Sequence, residues 1–231
     1  MQLVVIGDLH GRKTGPEIAQ KHPEDTLVFL GDYFDSKTGI PASEQLAIFE
    51  NLIALKLKNP ERVVLLTGNH DFHYIRGATQ QYPGYQWLHA TDISQQITMA
   101  YRQGLLQAAY SRGSYLMVHA GLTRTWCGHW GIALQNPAEE VNALFSQSLR
   151  PFEFIFKPGC NKTGDNVHQG PFWVRPSSLQ ADAIAGFTQV IGHTQFNQPR
   201  FWPGIIAIDV LSFCRKYLII NQKGIATLAD I

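Results

Sequence analysis

Five short polar clusters in this chain each follow a short run of branched, apolar residues. The clusters are Gly-Asp-Leu-His at 7–10, Gly-Asp at 31–32, Gly-Asn-His-Asp at 68–71, His119 and Gly-His at 192–193. Short, continuously apolar runs are typical of strands that are buried on both faces of a sheet. Because ligands bind where the strands of an α/β sheet end, we expect the polar clusters to converge on one centre. The predicted members of that centre are Asp8, His10, Asp32, Asn69, His119 and His193.

The spacing of apolar residues indicates how these strands are connected. The strands are predicted at 3–6, 27–30, 63–66, 115–118 and 190–191. A helix is predicted over 41–58, because its apolar residues recur at helical spacing, Pro41 suits a first turn and Asn59-Pro60 would end it. Strands that alternate with helices up to residue 68 favour right-handed parallel βαβ units, so the predicted fold class is α/β.

The rest of the chain has a less regular pattern. A helix is predicted over 95–110, and the segment 80–112 is predicted to form a helical cap over the site. A second helix is predicted over 137–149, and many Gly, Pro, Asn and Lys residues predict a long loop around 157–170. The C-terminal part predicts a second, mostly antiparallel sheet, with strands at 190–191, 205–210, 217–220 and 226–228.

Length and composition limit the classes of protein that fit. With 231 residues, of which 45% are hydrophobic, the chain can form one sizeable core, so a single domain over 1–231 is predicted. A net charge of +1 argues against strong nucleic-acid binding. Three cysteines without a Cys-x-x-Cys pair favour a reducing compartment. No apolar run approaches the roughly 20 residues that span a bilayer, so we predict a cytoplasmic protein without a membrane partner.

The residue types in the clusters suit divalent metal ions. Asp8 and His10 are one residue apart, so at a strand end both can point into the same space. A mixture of carboxylate and imidazole without thiolates suits Mn²⁺, Fe²⁺, Zn²⁺ or Mg²⁺. Asp32 could bridge two ions through its two carboxylate oxygens. Asn69, His119 and His193 would then complete the shell of the second ion, so the clusters together predict a two-metal centre.

The same clusters identify a family resemblance. The set Gly-Asp-Leu-His-Gly, Gly-Asp-Tyr-Phe-Asp, Gly-Asn-His-Asp, Val-His-Ala-Gly-Leu and Gly-His-Thr resembles the calcineurin-like metallophosphoesterase superfamily over nearly the whole chain. It is most similar to the phosphoprotein phosphatase branch, which includes serine/threonine phosphatases and bacterial diadenosine tetraphosphatases. Many phosphodiesterase relatives carry a further metal-binding His where this chain has Gln195. The first metal should therefore have only Asp8, His10 and Asp32 from the protein.

The resemblance implies a fold and a reaction. The fold would be a four-layer α/β/β/α sandwich with the metal site at the sheet edge. The reaction would be phosphoester hydrolysis, in which a hydroxide that bridges two divalent ions attacks phosphorus. Mn²⁺ is the ion favoured for activity. His70, next to Asn69, is the predicted general acid for the leaving group. Asp35 would orient His70, the alternative being a loop-capping aspartate, and structural roles are predicted for Asp71 and Asp209.

One departure from the family pattern concerns phosphate binding. This branch typically carries phosphate-binding arginines where this chain has Ser36 and Thr67. The planar guanidinium fork suits two phosphate oxygens, so a replacement is expected elsewhere. Arg175, in Pro-Phe-Trp-Val-Arg-Pro, is the predicted replacement, and Arg12 and Arg124 are the alternatives.

Three functions remain open from the sequence. The leading hypothesis is hydrolysis of phosphomonoesters, with a phosphoprotein or a small metabolite as the phosphorylated partner. The alternative is hydrolysis of a dinucleoside polyphosphate, of the diadenosine tetraphosphate type, or of a phosphodiester. A third interpretation is a binding module without catalytic activity, in which the metals only stabilise the fold. The retention of His70 and Asp35 argues against this last interpretation.

Overall fold

Two β-sheets lie face to face with helices on their outer surfaces in the computed structural model of the chain, which describes residues 1–77, 82–155, 163 and 165–231. The strands of this part are β1 (Leu3–Ile6), β2 (Thr26–Phe29), β3 (Val63–Leu66), β4 (Leu106–Gln107), β5 (Ala109–Arg112), β6 (Tyr115–Val118), β7 (Thr188–Ile191), β8 (Arg200–Trp202), β9 (Ile205–Ala207), β10 (Lys216–Ile220) and β11 (Ala226–Asp230). The α-helices are α1 (Thr14–Lys21), α2 (Ala42–Lys58), α3 (Asn69–Ile75), α4 (Ala90–Arg102), α5 (Arg124–Trp130), α6 (Pro137–Gln147) and α7 (Pro176–Asp182).

Each sheet has a parallel centre and antiparallel edges. The first sheet has the strand order β11-β10-β1-β2-β3-β4, and the second has the order β5-β6-β7-β9-β8. Strands β1 to β4 run parallel to one another, as do β6, β7 and β9. The antiparallel strands are β10 and β11 in the first sheet and β5 and β8 in the second. The polar clusters thus follow parallel strands, whose carboxyl ends point the same way.

Alternation of side chains along the strands produces the layers. Val4 and Ile6 of β1 pack in one cluster with residues of α1 and α2. Leu3 and Val5 point the other way, into a cluster that also contains Met117 of β6 and therefore lies between the sheets. Residues of α5 and α6 pack against the outer face of β6 in the second sheet. The predicted four-layer α/β/β/α sandwich is confirmed.

The helix predicted over 95–110 was wrong in its bounds. The structure has α4 at Ala90–Arg102, followed by Gly104 with a φ of 69°. Glycine tolerates this left-handed conformation, so the chain can leave the helix there. The apolar residues after it enter two strands, β4 and β5, which join different sheets. A run of apolar residues fits a buried helix or a buried strand equally well, and this is the ambiguity that misled the prediction.

The predicted C-terminal sheet was also wrong in its strand partners. β10 and β11 do not join β7 and β9; instead, β10 pairs antiparallel with β1, with Val4 opposite Ile219. Leu218 and Ile220 of β10 are buried between the two sheets. The second sheet is parallel at its centre, since β7 pairs with both β6 and β9 in that orientation.

Two predicted segments are described only in part. In the segment 80–112, residues 80–81 lie outside the described residues, and Ile93, Ile97 and Ala100 of α4 pack in the outer core cluster of the first sheet. In the loop predicted around 157–170, residues 157–162 and 164 lie outside the described residues. Within the described ranges, no helix combines the length and the apolar character needed to cross a membrane.

Candidate metal centre

The strand ends turn sharply at the residues that the sequence singled out. In the described part of the chain, the non-glycine residues with a positive φ are His10 (44°), Asp32 (53°), Asp35 (62°), His193 (63°) and Arg215 (48°). This conformation is costly for residues with a Cβ and is concentrated at functional sites, where the surrounding structure holds it in place. Four of these five residues, all except Arg215, belong to the predicted site.

Two glycines allow the backbone to approach the carboxylates closely. A Cβ on Gly68 would overlap Asp32 Oδ1, and a Cβ on Gly192 would overlap Asp8 Oδ1. The backbone N–H of His193, next to Gly192, donates to Asp8 Oδ2 at 3.0 Å. Substitution of either glycine would push its carboxylate out of place, which explains why these clusters need glycine.

Asp71 ties two of the turns together. Its carboxylate accepts hydrogen bonds from the backbone N–H groups of Asp32 (2.6 Å), Tyr33 (2.9 Å) and Gly68 (2.9 Å). One buried side chain thus joins the turn after β2 to the turn after β3. This is a structural role of the kind predicted for Asp71, although it reaches further than capping its own turn.

Asp32 lies at the middle of the converging side chains. Its Oδ2 lies 3.8 Å from His10 Nε2, and its Oδ1 lies 3.6 Å from His119 Nε2. The potential ligand atoms form two groups, and within each group all of them lie within 4.8 Å of one another. One group is His10, Asp32 and His70, and the other is Asp8, Asp32 and His119. Asp32 belongs to both groups, which is the geometry expected of a residue shared by two ions.

Asn69 brings two histidines to one point. Its Oδ1 lies 3.0 Å from His119 Nε2 and 2.8 Å from His193 Nδ1. The other ring nitrogens face backbone carbonyls, His119 Nδ1 facing Leu30 O at 2.8 Å and His193 Nε2 facing Trp173 O at 3.2 Å. A carbonyl cannot donate, so these outer nitrogens carry the protons of the neutral rings. The two inner nitrogens and the amide oxygen therefore converge as lone pairs without a hydrogen between them.

The protonation of these groups follows from burial. Burial lowers the pKa of His119 to about 3, and burial lowers the pKa of His193 well below its usual value, with Arg175 and His119 adding repulsion. Both rings are thus neutral at physiological pH. Three converging acceptors repel one another, and a cation between them would remove this repulsion.

Burial also disfavours the charged form of the carboxylates in the centre. Burial raises the pKa of Asp32 to about 8, and repulsion from Asp209 adds to this. Burial likewise raises the pKa of Asp8, with repulsion from Asp209 and Asp32. Buried carboxylates that repel one another are stabilised by a divalent cation. The donor set of oxygens and bare imidazole nitrogens therefore fits divalent metal ions.

His70 is bound to the buried carboxylate of Asp35. His70 Nδ1 lies 2.7 Å from Asp35 Oδ2, and Tyr74 donates its hydroxyl to Asp35 Oδ1 at 2.6 Å. His73 Nε2 lies 3.1 Å from the same Oδ2. Although burial opposes ionisation, hydrogen bonds from His70, His73 and Tyr74 lower the pKa of Asp35 to about 2. Asp35 is therefore an anion that faces the histidine side chain, with the backbone N–H of His70 bonded separately to Asp32.

The sequence did not single out His73 or Tyr74 as members of this network. Both follow His70 on α3, and His73 lies three residues after it, which is the spacing of neighbours on one helix face. That spacing was the available signal. The contact between Asp35, on the turn after β2, and these residues of α3 is decided by the tertiary structure.

A cavity of about 430 Å³ opens onto the centre. Its lining includes the predicted site residues His10, Asp32, Asn69, His70, Arg175 and His193. Asp209 also lines it, and burial raises the pKa of this carboxyl to about 6. Side chains that the sequence reasoning had not assigned to the site complete the wall; these are Lys37, Tyr82, Pro83, Phe154, Thr163, Trp173 and Gln195.

The three candidate arginines lie in different surroundings. Arg175 is the arginine among the described residues that line the cavity; its Nη1 donates to His193 O at 3.2 Å and its Nε to Thr163 O at 2.7 Å. Arg12 donates to Leu9 O and to the hydroxyl of Ser212. Arg124 forms an ion pair with Asp182 at 3.1 Å, and neither it nor Arg12 lines the described part of the cavity.

The chain belongs to the calcineurin-like phosphoesterase family, whose model matches residues 1–194. The resemblance to the calcineurin-like superfamily that the sequence motifs indicated is thereby confirmed. Over 113 residues the chain is 34% identical to a Schizosaccharomyces pombe protein provisionally named a serine/threonine-protein phosphatase. That match covers 42% of the chain and 34% of the relative, so it spans about a third of the curated relative's length.

Solved structures with the same fold are also phosphatases by name. A cold-active protein-tyrosine phosphatase from a psychrophilic Shewanella species has a TM-score of 0.65 and 17% identity, covering 98% of this chain and 80% of that one. A Saccharomyces cerevisiae protein serine/threonine phosphatase, with similarity to human phosphatase PP5, has a TM-score of 0.62 and 14% identity, covering 100% and 80%. At such identities the likeness shows a shared fold.

Proposed function

We propose that this protein is a hydrolase of phosphomonoesters that uses two divalent metal ions, with Mn²⁺ as the ion for assay. The observation that carries the proposal is the convergence of bare lone pairs from Asn69, His119 and His193 beside the shared carboxylate of Asp32. A divalent cation would stabilise such a donor set, because it relieves the repulsion between the converging acceptors.

We assign the ligands to two sets by the family pattern; the geometric groups share Asp32 with these sets but place Asp8 with His119 and His70 with His10. Asp8, His10 and Asp32 would hold one ion, and Asp32, Asn69, His119 and His193 would hold the other. When bound, two such ions would neutralise charge on the phosphoryl oxygens. They would also lower the pKa of a water molecule, so that a hydroxide is available as the nucleophile at neutral pH. Asp71 and the glycines at 68 and 192 support these ligands by fixing the turns that carry them.

His70 would donate a proton to the leaving group. Its Nδ1 is bound to Asp35 at 2.7 Å, which leaves Nε2 as the ring nitrogen available towards the cavity. The bond to Asp35 holds Nδ1 away from the metal centre, so a proton on Nε2 can be given to a leaving group in the cavity. Asp35 is in turn held by Tyr74 and His73, so the ring of His70 has a fixed orientation.

Arg175 would bind the phosphoryl group. Its Nε and Nη1 are occupied by backbone carbonyls and by the Thr194 hydroxyl at 3.1 Å, and these bonds anchor the guanidinium at the cavity wall. A guanidinium so anchored can direct its remaining N–H groups at phosphate oxygens with little loss of side-chain entropy.

Gln195 favours a monoester over a diester as substrate. It occupies the place where many phosphodiesterase relatives bind the first metal with a histidine, and its Nε2 instead donates to Ser212 Oγ at 2.7 Å. The second candidate function is hydrolysis of a dinucleoside polyphosphate. It is favoured by the aromatic wall of the cavity, where Tyr82 and Phe154 lie 5.7 and 5.2 Å from the ring of Trp173 and could stack on a base.

The test of the proposed function is a substrate panel on metal-free protein reconstituted separately with Mn²⁺, Zn²⁺, Fe²⁺ or Mg²⁺. The panel comprises an aryl phosphate, a bis-aryl phosphate, a phosphopeptide and a dinucleoside tetraphosphate. We expect the highest kcat/KM on a monoester. A higher value on the dinucleotide would support the second candidate, and no turnover with any metal would contradict both.

Arg175→Ala is expected to raise KM for an aryl phosphate about tenfold to a hundredfold, since charge-assisted hydrogen bonds to phosphate contribute about 1.5–3 kcal/mol. Arg175→Lys should recover only part of this, because an ammonium lacks the fork. Steady-state kinetics on Mn²⁺-loaded protein measures both. The exposed Arg150 provides the matched control, Arg150→Ala, which should leave KM unchanged. A larger effect from Arg124→Ala than from Arg175→Ala would overturn the assignment.

Metal-free protein is expected to lose stability as the pH rises from 6.5 to 8. The folded chain keeps a proton on Asp32, whose pKa is about 8, whereas the unfolded chain loses it near 3.8. The lowered histidine pKa values act in the opposite sense, but only below 6.5, the ordinary value of His119. The loss should reach about 2 kcal/mol, or roughly 5 °C in Tm.

Thermal unfolding in chelator at a series of pH values measures this loss. Saturating Mn²⁺ should abolish it, because metal binding strengthens as its ligands lose protons. Metal-free Asp32→Asn protein should also show a flatter curve, since it lacks one of the two buried ligand carboxyls whose pKa values are raised. A metal-free wild-type protein whose Tm is constant from pH 6.5 to 8 would contradict the raised pKa.

A further inference from the structure

Lys37 is a charged residue in the cavity wall that the proposed function leaves without a role. It lines the same cavity as the metal-binding residues, and it is exposed to solvent. Its ammonium group makes no hydrogen bond or ion pair with another residue in the part of the chain that the structure describes. A lysine that lines a cavity with Asp32 and Asp209 yet is bonded to neither is available to bind an anion.

The loop that carries Lys37 is held in place by its neighbours. The hydroxyl of Ser36 accepts the backbone N–H groups of Thr38 at 3.2 Å and Ile40 at 3.4 Å. The side chain of Gln45 bonds to the N–H of Ser36 at 3.3 Å and to the carbonyl of Ile40 at 2.7 Å. The backbone on both sides of Lys37 is therefore fixed, so its side chain is presented at the cavity at a low cost in backbone entropy.

Lys37 and Arg175 enter the cavity wall from different ends of the metal centre. The carbonyl of Phe34, three residues before Lys37, faces His10 Nδ1 at 2.8 Å. At the other end, Arg175 Nη1 donates to the carbonyl of His193 at 3.2 Å. The loop that carries Lys37 therefore begins at the His10 end of the centre, and the guanidinium lies at the His193 end.

We propose that Lys37 binds the phosphoryl group of the substrate from the His10 end of the centre, while Arg175 binds it from the His193 end. This inference rests on the proposed function, because it assumes that a phosphate enters this cavity. A second guanidinium is not needed to bind a monoester dianion between two cations. The ammonium of a lysine can take its place, because it acts on the phosphate oxygens as a point charge. The contribution of Lys37 should therefore appear in phosphate affinity and KM, and much less in kcat.

The experiment is calorimetric titration of inorganic phosphate into Mn²⁺-loaded wild-type, Lys37→Ala, Lys37→Arg and Lys13→Ala proteins. Lys13, an exposed lysine paired with Glu44 at 3.0 Å, is the matched control. We expect Lys37→Ala to weaken phosphate binding about tenfold at low salt, and much less in about 0.5 M NaCl, because an exposed charge is screened. Lys37→Arg should stay within about threefold of wild type, and Lys13→Ala should equal it.

A second measurement separates phosphate binding from a structural role. Removal of a cation from beside the centre should leave Mn²⁺ affinity unchanged or tighter, whereas a disturbed loop would weaken Mn²⁺ binding and lower Tm. The proposal is overturned if Lys37→Ala binds phosphate as wild type does, or if Mn²⁺ affinity falls in parallel. Because the titration needs no turnover, a wild-type protein that binds phosphate but hydrolyses no monoester would contradict the proposed function alone.

Discussion

Replacement of Asp32 by asparagine is expected to lower kcat/KM by about 10³-fold or more and to remove most of the bound Mn²⁺. Asp32 is the residue common to both groups of potential ligands, so its loss of charge affects both ions. The asparagine oxygen can still accept the backbone N–H of His70, which Asp32 Oδ1 accepts at 2.9 Å, so the turn should keep its shape. The measurements are metal content after gel filtration and kcat/KM on an aryl phosphate.

The control for this substitution is Asp182→Asn. Asp182 accepts the backbone N–H of Thr125 at 2.9 Å and pairs with Arg124, and it is not among the described residues that line the cavity. It should therefore retain both metal and turnover. If Asp32→Asn protein keeps its full metal content and its activity, Asp32 is not the shared ligand and the assignment of the centre is wrong.

Replacement of His70 by asparagine is expected to lower kcat on an alkyl phosphate by about 10²- to 10³-fold, with a much smaller loss on an aryl phosphate. An alkoxide leaving group needs a proton far more than a phenolate with an electron-withdrawing substituent does. The two substrates therefore separate loss of the general acid from general damage to the site. Asp35→Asn should reproduce part of the same difference, because it removes the anion bound to His70 Nδ1 at 2.7 Å.

Metal content decides between two roles for His70. A ligand atom of His70 lies within 4.8 Å of those of His10 and Asp32, so the ring is close enough to be considered a ligand. A general acid predicts that His70→Asn binds as much Mn²⁺ as wild type, whereas a ligand predicts loss of metal together with activity on both substrates. His129→Asn, at an exposed residue of α5, is the control that should change neither quantity.

The site could be predicted in sequence because its signals are local. Each proposed ligand lies within a few residues of the end of a buried strand, and each except His119 has a glycine beside it. These glycines mark a turn or a close approach, as the overlap at Gly68 and Gly192 shows. Strands β1, β3 and β6 have the predicted bounds for the same reason, since continuous apolar runs of this length are strands in a two-faced core. Parallel topology then brings their ends together without further information.

What the sequence alone determined is therefore the fold class, the family and the set of side chains at the strand ends. The tertiary structure alone decided that β10 pairs with β1, that His73 and Tyr74 share Asp35 with His70, and that Arg175 and Lys37 line the cavity. The physical reason is the distance along the chain over which each kind of interaction acts. Strand and turn preferences are set by residues a few positions apart, whereas strand partners and cavity walls depend on which distant surfaces are buried together.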